Sequence, residues 1–331
     1  MPFDIPLHNT KSVVSFYDSL PDIYPAKEKT INDKPQSDNN ADSQIESLQR
    51  NVIQEFKYQQ RLREISVEYA NGISAESESL QSQHAPDAVI YDLNKNSDQI
   101  KLRTVGVRPM SSNELMALHE KVIASVRDSY VAIYADSVDT LNRFQSKFNE
   151  LKLALAKYLD AGKGQGEITL KMKEFVADLD KLIGDFSGTA GQLYPGEKEG
   201  QYPTASKAEA EKWLAAMGLP ISCLKEHGNG AYTVQINLEP LNNILTSTKQ
   251  LDSNWSADKE PGYQFKDINL NAAKHSAWDA GFQAKGEEYP GFLQTMSTKL
   301  QGAKASMDQL VKLMSAFIQQ NAEAAMAYLR F

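Results

Sequence analysis

PGFLQTMSTKLQGAKASMDQLVKLMSAFIQQNAEAAMAYLRF, residues 290–331, is the stretch that decides the fold. From Leu293, the positions Met296, Leu300, Ala303, Met307, Leu310, Met314, Phe317, Asn321, Ala324 and Tyr328 follow in alternating steps of three and four. That rhythm keeps one face of a helix in phase, as a coiled-coil seam requires. Ala303 and Ala324 thin the seam, and Asn321 places an amide on it, which costs stability but can set register.

A second seam lies upstream. Ser111 and Glu114 have the spacing of a capping box, and no proline follows until Pro195 and no glycine until Gly162. Leu115, Leu118, Val122 and Val126 begin the stripe, with Tyr130, Ile133 and Tyr134 continuing it. Leu141, Phe144, Phe148, Leu151, Leu155 and Tyr158 then alternate without a miss. Roughly fifty helical residues would reach about 75 Å, too long for a compact core. Two seams in one chain, with other residues between them, predict an antiparallel pairing of the chain with itself. The seam residues are Leu141, Phe144, Phe148, Leu151 and Leu155 on one side and Leu300, Met307, Leu310, Met314 and Phe317 on the other.

The remaining segments fall around this pair. Residues 1–40 hold five prolines among Asp, Asn and Ser, the composition of a disordered arm. Residues 41–110 read as a helical hairpin: Ile45, Leu48, Val52, Phe56, Leu62, Ile65 and Tyr69 lie at helical spacing, Asn71-Gly72 reads as a stop, and an irregular return runs to Pro109. The first long helix takes 111–161, a mixed α/β domain 162–269 and the second long helix 270–331. Within the mixed domain the expectations are a helix from Ile168 to Phe186, a short one capped by Ser206 and Glu209, and a hairpin. The hairpin joins Ile221–Lys225 to Tyr232–Leu238 across Gly228-Asn229-Gly230. A helix from Pro240 follows. The fold class is mainly α.

Bulk properties narrow the function. The chain has 331 residues, 41% hydrophobic and 24% charged, with a net charge of −8. No basic patch favours nucleic acid or a direct hold on an anionic membrane. The single cysteine, Cys223, excludes an intramolecular disulfide and reads as a small core residue. The N-terminus lacks the basic, apolar and small-residue regions of a Sec signal peptide, and no stretch has the roughly 18 apolar residues of a spanning helix.

Catalytic patterns are absent. The histidines at 8, 84, 119, 227 and 275 have no partners at metal-ligand spacing, and His119-Glu120 lacks the later histidine of a zinc helix. Gly162-Lys163-Gly164-Gln165-Gly166 follows a helix instead of a strand and lacks Gly-Lys-Ser/Thr, so it reads as a linker. The carboxylate pairs Asp178-Asp180 and Glu287-Glu288 read as solvated helix surface. The expectation is a protein that is not an enzyme and has no resident cofactor.

Three runs carry a family resemblance. Lys212-Trp213-Leu214 to Gly218-Leu219-Pro220, with Cys223 shortly after, resembles the short helix and turn of the IpaD/SipD/BipD needle-tip proteins. Ala277-Trp278-Asp279-Ala280-Gly281-Phe282 is similar to the run that opens their last helix, and Asp128-Ser129-Tyr130 with Tyr134 to part of their first long helix. The resemblance spans about residues 40–331 in the same order of elements. It implies a hydrophilic translocator of a bacterial type III secretion system, secreted and held at the bacterial surface on the needle tip. The partners implied are the needle filament subunit, a hydrophobic translocator and further copies of itself, usually five, with host membrane met only indirectly. The N-terminal hairpin would act as a chaperone for the coiled coil, and the arm would carry the export signal. Enteric members bind bile salts beside the coiled coil, so a bile salt is the one ligand the resemblance suggests. The needle contact is expected in the last turns, at Asn321, Ala324, Tyr328 and Phe331. Pro290-Gly291 departs from the family's continuous last helix and predicts a kink or a short break. The alternatives are a secreted effector acting inside the host cell and a parallel coiled-coil adhesin.

Overall fold

The computed structural model describes residues 39–330 except 84, 86, 106–110, 163, 165, 197–200, 202 and 261, with backbone alone at 39–42, 88, 105 and 112. The expected arm, Pro109 and Phe331 therefore lie outside the described residues. The chain divides into two compact units, Met1–Ile53 and Gln54–Phe331. The described part of the first is helical from Asn39 onward.

The helix that begins there, α1, runs Asn39–Ser82, straight through Asn71-Gly72. The expected stop is thus not a stop. Gly72 is used for packing: a Cβ built on it would stand 2.7 Å from Leu313 Cδ2. The return is equally regular, a helix α2 over Asp87–Val105 in place of the irregular segment expected.

The first long helix starts at Ser112 behind the Ser111/Glu114 capping box, with both reciprocal bonds made. It comprises α3 (Ser112–Val126), a π turn over Arg127–Val131 and α4 (Ala132–Ala154). The π turn has a cause in the seam. The buried positions Val122, Val126, Tyr130 and Tyr134 follow in three steps of four, where strict alternation would give four, three, four. One surplus residue must be absorbed, and a single turn of i→i+5 bonding does so without moving Tyr130 off the buried face. The helix ends earlier than expected, in a 3-10 turn at Leu155–Tyr158.

The chain then enters a small sheet. Strands β1 (Leu159–Ala161), β2 (Glu167–Leu170) and β6 (Ile268–Asn271) pair antiparallel in the order β1-β2-β6, with Leu159 opposite Leu170 and Glu167 opposite Asn271. The expected helix from Ile168 therefore starts at Met172, as α5 (Met172–Phe186), because Ile168 belongs to β2. Since β1 follows the first long helix and β6 precedes the last, this sheet is the hinge of the reversal.

A second antiparallel sheet, β3-β5-β4, joins β3 (Gln192–Tyr194), β5 (Tyr232–Gln235) and β4 (Leu224–Glu226). The expected hairpin is present, but Ile221–Cys223 forms a 3-10 turn ahead of β4. Between the strands, α6 (Lys207–Met217) has the Ser206/Glu209 capping box and ends at Gly218, φ 72°, a left-handed cap that glycine adopts without a Cβ clash. Trp213 on α6 stacks on Tyr194 at 5.1 Å and meets Tyr134 at 5.4 Å, while Ser137 Oγ donates to the Leu193 carbonyl at 3.1 Å. These contacts fasten the second sheet to α4.

The helix α7 (Glu239–Lys249) is tied to α8 (Ala272–Gly286) by Trp278 Nε1, which donates to Thr248 Oγ1 at 2.9 Å. The last helix, α9, covers Glu288–Leu329. The expected interruption is a one-residue break at Glu287, ahead of the proline itself. Pro290 has no N–H for the carbonyl four residues back, that of Gly286, and its ring crowds that oxygen. Gly286 also permits the ring of Phe148 to approach, since a Cβ there would lie 2.9 Å from it.

The four carboxylates expected on solvated helix surface are exposed, and each also has a partner there. Asp178 accepts from the Tyr158 hydroxyl at 2.5 Å, Asp180 faces Lys249 at 3.8 Å, Glu287 meets Lys152 at 3.4 Å and Glu288 meets Lys285 at 2.9 Å. Cys223 is buried, and burial pushes its thiol up to about 11.

Candidate functional site: the hairpin over the coiled-coil seam

The long helices run antiparallel. Phe144 and Phe148 meet Tyr289 at 4.6 and 5.6 Å near the sheet, and further out Tyr69 of α1 bridges His119 of α3 and Phe317 of α9 at 5.3 and 4.9 Å. Leu141, Phe144, Phe148, Leu151 and Leu155 are all buried. On α9, Leu310 and Phe317 are buried, whereas Leu300, Met307 and Met314 are half-buried. Ala303 and Ser306 fill buried places on that helix, small enough for close approach.

The far half of α9 is covered by α1. Besides the Gly72–Leu313 and Tyr69–Phe317 contacts, the ring of Tyr58 packs tilted on that of Tyr328 at 5.0 Å. The α1–α2 pair is closed by serines: Ser97 Oγ donates to the Ala70 carbonyl at 2.8 Å and lies 2.8 Å from Ser74 Oγ, to which Lys101 also donates at 3.1 Å. Polar ties hold α2 to the rest. Ser125 donates to Asp92 at 2.9 Å, Arg103 pairs with Glu114 at 3.2 Å, and Lys212 pairs with Asp87.

Buried polar groups lack partners where this layer meets the seam, as they also do at the Tyr134 and Tyr289 hydroxyls nearer the sheets. The Tyr69 hydroxyl and both ring nitrogens of His119 are buried without hydrogen-bond partners. Each such group costs about 1–3 kcal/mol relative to a solvated one. His119 is 2% exposed, and burial alone lowers its pKa to about 4. The periodicity alone puts Leu118 on the seam and passes over His119, yet a signal is present. The spacing Leu115, His119, Val122, Val126 sets the imidazole on the apolar face.

The candidate contact residues at the end of α9 are mostly engaged within the chain. Asn321 Nδ2 donates to the Phe317 carbonyl of its own helix at 3.0 Å, Ala324 packs against the core and Tyr328 lies on Tyr58. The apolar side chains left open there are Met326, 51% exposed, and Leu329, 66% exposed. Among the described residues no three His, Cys, Asp or Glu side chains converge as a metal site, and no helix is long and apolar enough to cross a membrane.

The geometry agrees with comparisons to known proteins. Over 223 residues the chain is 29% identical to the cell invasion protein SipD of Salmonella typhimurium, spanning 67% of this chain and 62% of SipD, less than two thirds of that relative's length. It is 27% identical over 248 residues to the invasin IpaD of Shigella flexneri, spanning 73% and 69%. The fold is that of the pathogenicity island 1 effector protein from Chromobacterium violaceum, with a TM-score of 0.61 at 20% identity over 89% of this chain and 86% of that one. A family model for type III secretion systems tip complex components matches residues 6–329, and the chain belongs to that family.

Proposed function

We propose that this protein is the needle-tip scaffold of its type III secretion system, secreted to the bacterial surface. There it caps the needle filament, controls secretion and forms the platform for a hydrophobic translocator, in a small ring of identical copies. The observation that carries the reading is the covered seam. A stiff helix pair is built at one end on two sheets, and its far half is sheathed by a hairpin of the same chain. The sheath keeps apolar seam residues from associating before assembly. Membership in the tip complex family favours this scaffold over an effector acting inside the host cell.

The needle contact is assigned to the end of α9, where Met326 and Leu329 are open. The test is a titration of isotope-labelled needle subunit with the full chain, followed by NMR. Saturable line broadening, weakened in Met326→Asp and Leu329→Asp, is expected; an unchanged spectrum at stoichiometric excess refutes the assignment. A bile salt, the one small ligand the family suggests, is assigned to the groove along α2 lined by Tyr91, Lys95 and Leu102. There the apolar steroid face would meet Tyr91 and Leu102 and the acid Lys95, in a groove that Asp98 and Asp87, the latter paired with Lys212, also line. Loss of saturation-transfer signal from a bile salt in Tyr91→Ser is the check.

A further inference from the structure

We propose that His119 is an acid-operated latch, whose protonation releases the N-terminal hairpin from the two long helices. The ring lies where three helices meet: it belongs to α3, packs on Tyr69 of α1, and Tyr69 in turn packs on Phe317 of α9. Neither ring nitrogen has a hydrogen-bond partner, and the Tyr69 hydroxyl beside it has none either. A neutral imidazole tolerates such a place at modest cost. An imidazolium there would carry two unmatched donors and a full charge into an apolar junction, which proteins avoid by neutralising the group or opening the site.

Among the described residues no neighbouring charge rescues the cation. Glu68 on α1, Glu120 and Lys121 on α3 and Lys312 on α9 are exposed, and on α2 Lys101 is tied to Ser74 while Arg103 is tied to Glu114. Burial is the sole cause of the depressed pKa, about 4 against 6.5 for a free histidine. The closed form therefore binds the proton less well than the open one. Its stability is full above pH 6.5 and is lost as pH falls from there to about 4. Over that window the ratio of open to closed hairpin rises by about 30-fold at pH 5 and about 150-fold at pH 4. Ser97 and Ser74 do not titrate in this range, and the carboxylates that also tie the hairpin, Asp92, Glu114 and Asp87, are common to the wild type and a His119 variant, so the difference between the two proteins reports the junction.

The latch rests on the sheathing role proposed above, but the two can fail separately. Self-association of a chain lacking residues 1–110 at neutral pH tests the sheath, whereas opening of the full chain tests the latch. The experiment is hydrogen exchange of the full-length protein from pH 7 to pH 4, corrected for intrinsic rates, beside His119→Gln. The substituted protein keeps the Asp92–Ser125 and Glu114–Arg103 ties, so their carboxylates respond alike in both proteins. Expected is a loss of protection in Gln54–Ser82 and in α2 of the wild type, about 30-fold larger at pH 5 than in His119→Gln, with α5 unchanged. Parallel curves for the two proteins, or an equal loss in α5, overturn the latch. Should His119→Gln not fold, an NMR titration of the His119 ring in the wild type decides. Protonation that tracks loss of hairpin protection supports the latch, and a ring that titrates with the hairpin still protected refutes it.

Discussion

Gly72 and Leu313 touch: a Cβ at Gly72 would come within 2.7 Å of Leu313 Cδ2 and 3.2 Å of Cδ1. The glycine costs the helix about 1 kcal/mol of propensity relative to alanine, and the close approach of α1 to α9 is what it gains. Gly72→Val should destabilise the fold by about 2 kcal/mol in urea melts through overpacking. In a Leu313→Ala background the same change should cost much less, because the facing side chain has been removed. Additive effects in the two backgrounds would show that the contact does not limit packing.

Leu310 and Met314 are separated by one turn of α9 but differ in surroundings, the first wholly buried and the second half-buried. Leu310→Asp should lose about 3–5 kcal/mol, the cost of an uncompensated charge in a core. Met314→Asp should lose under about 1.5 kcal/mol, since its carboxylate can reach water. Equal losses on thermal or urea unfolding would contradict the assignment of the seam.

The Trp278–Thr248 bond is buried and joins α7 to α8. Trp278→Phe keeps most of the apolar contact with Phe175 and Phe282 but removes the donor. A loss of about 1–2 kcal/mol is expected, smaller in a Trp278→Phe/Thr248→Val double variant, where neither partner is left unmatched.

Tyr130 is buried within the π turn, and burial pushes the pKa of its hydroxyl up to about 12. A raised pKa means that folding opposes ionisation. The stability this contributes is present below pH 10 and is lost as pH rises through 10 toward 12. Absorbance titration near 295 nm should show wild-type phenols ionising above about pH 11, with one such late step missing in Tyr130→Phe.

Much of this is legible in the residues where a local rule acts unopposed. The capping boxes at Ser111/Glu114 and Ser206/Glu209 are such cases, as is the left-handed turn at Gly218, because each is decided within four residues. The two seams and their pairing follow from periodicity. The failures occur where distant partners decide. Asn71-Gly72 looks like a stop until α9 is placed against it, and Ile168 looks helical until β6, a hundred residues later, offers it a ladder. His119 escapes notice because an imidazole at a seam position is no motif.

The ladder between β2 and β6 has a consequence for the order in which the chain folds. It joins Thr169 to Asn269, and their side chains are bonded at 2.6 Å across a separation of 100 residues. The α1–α2 hairpin, by contrast, closes over a short connection and forms from contacts near in sequence, which fold fastest. A chain delivered from its N-terminus thus completes its sheath early and must hold the apolar face of α3 and α4 unmatched until Ile268 arrives. Only then can the last helix zip onto the seam, beginning beside Phe148 and ending at Tyr58. By contact order the closing contact should be the slow one, with the early hairpin over the face that waits for it.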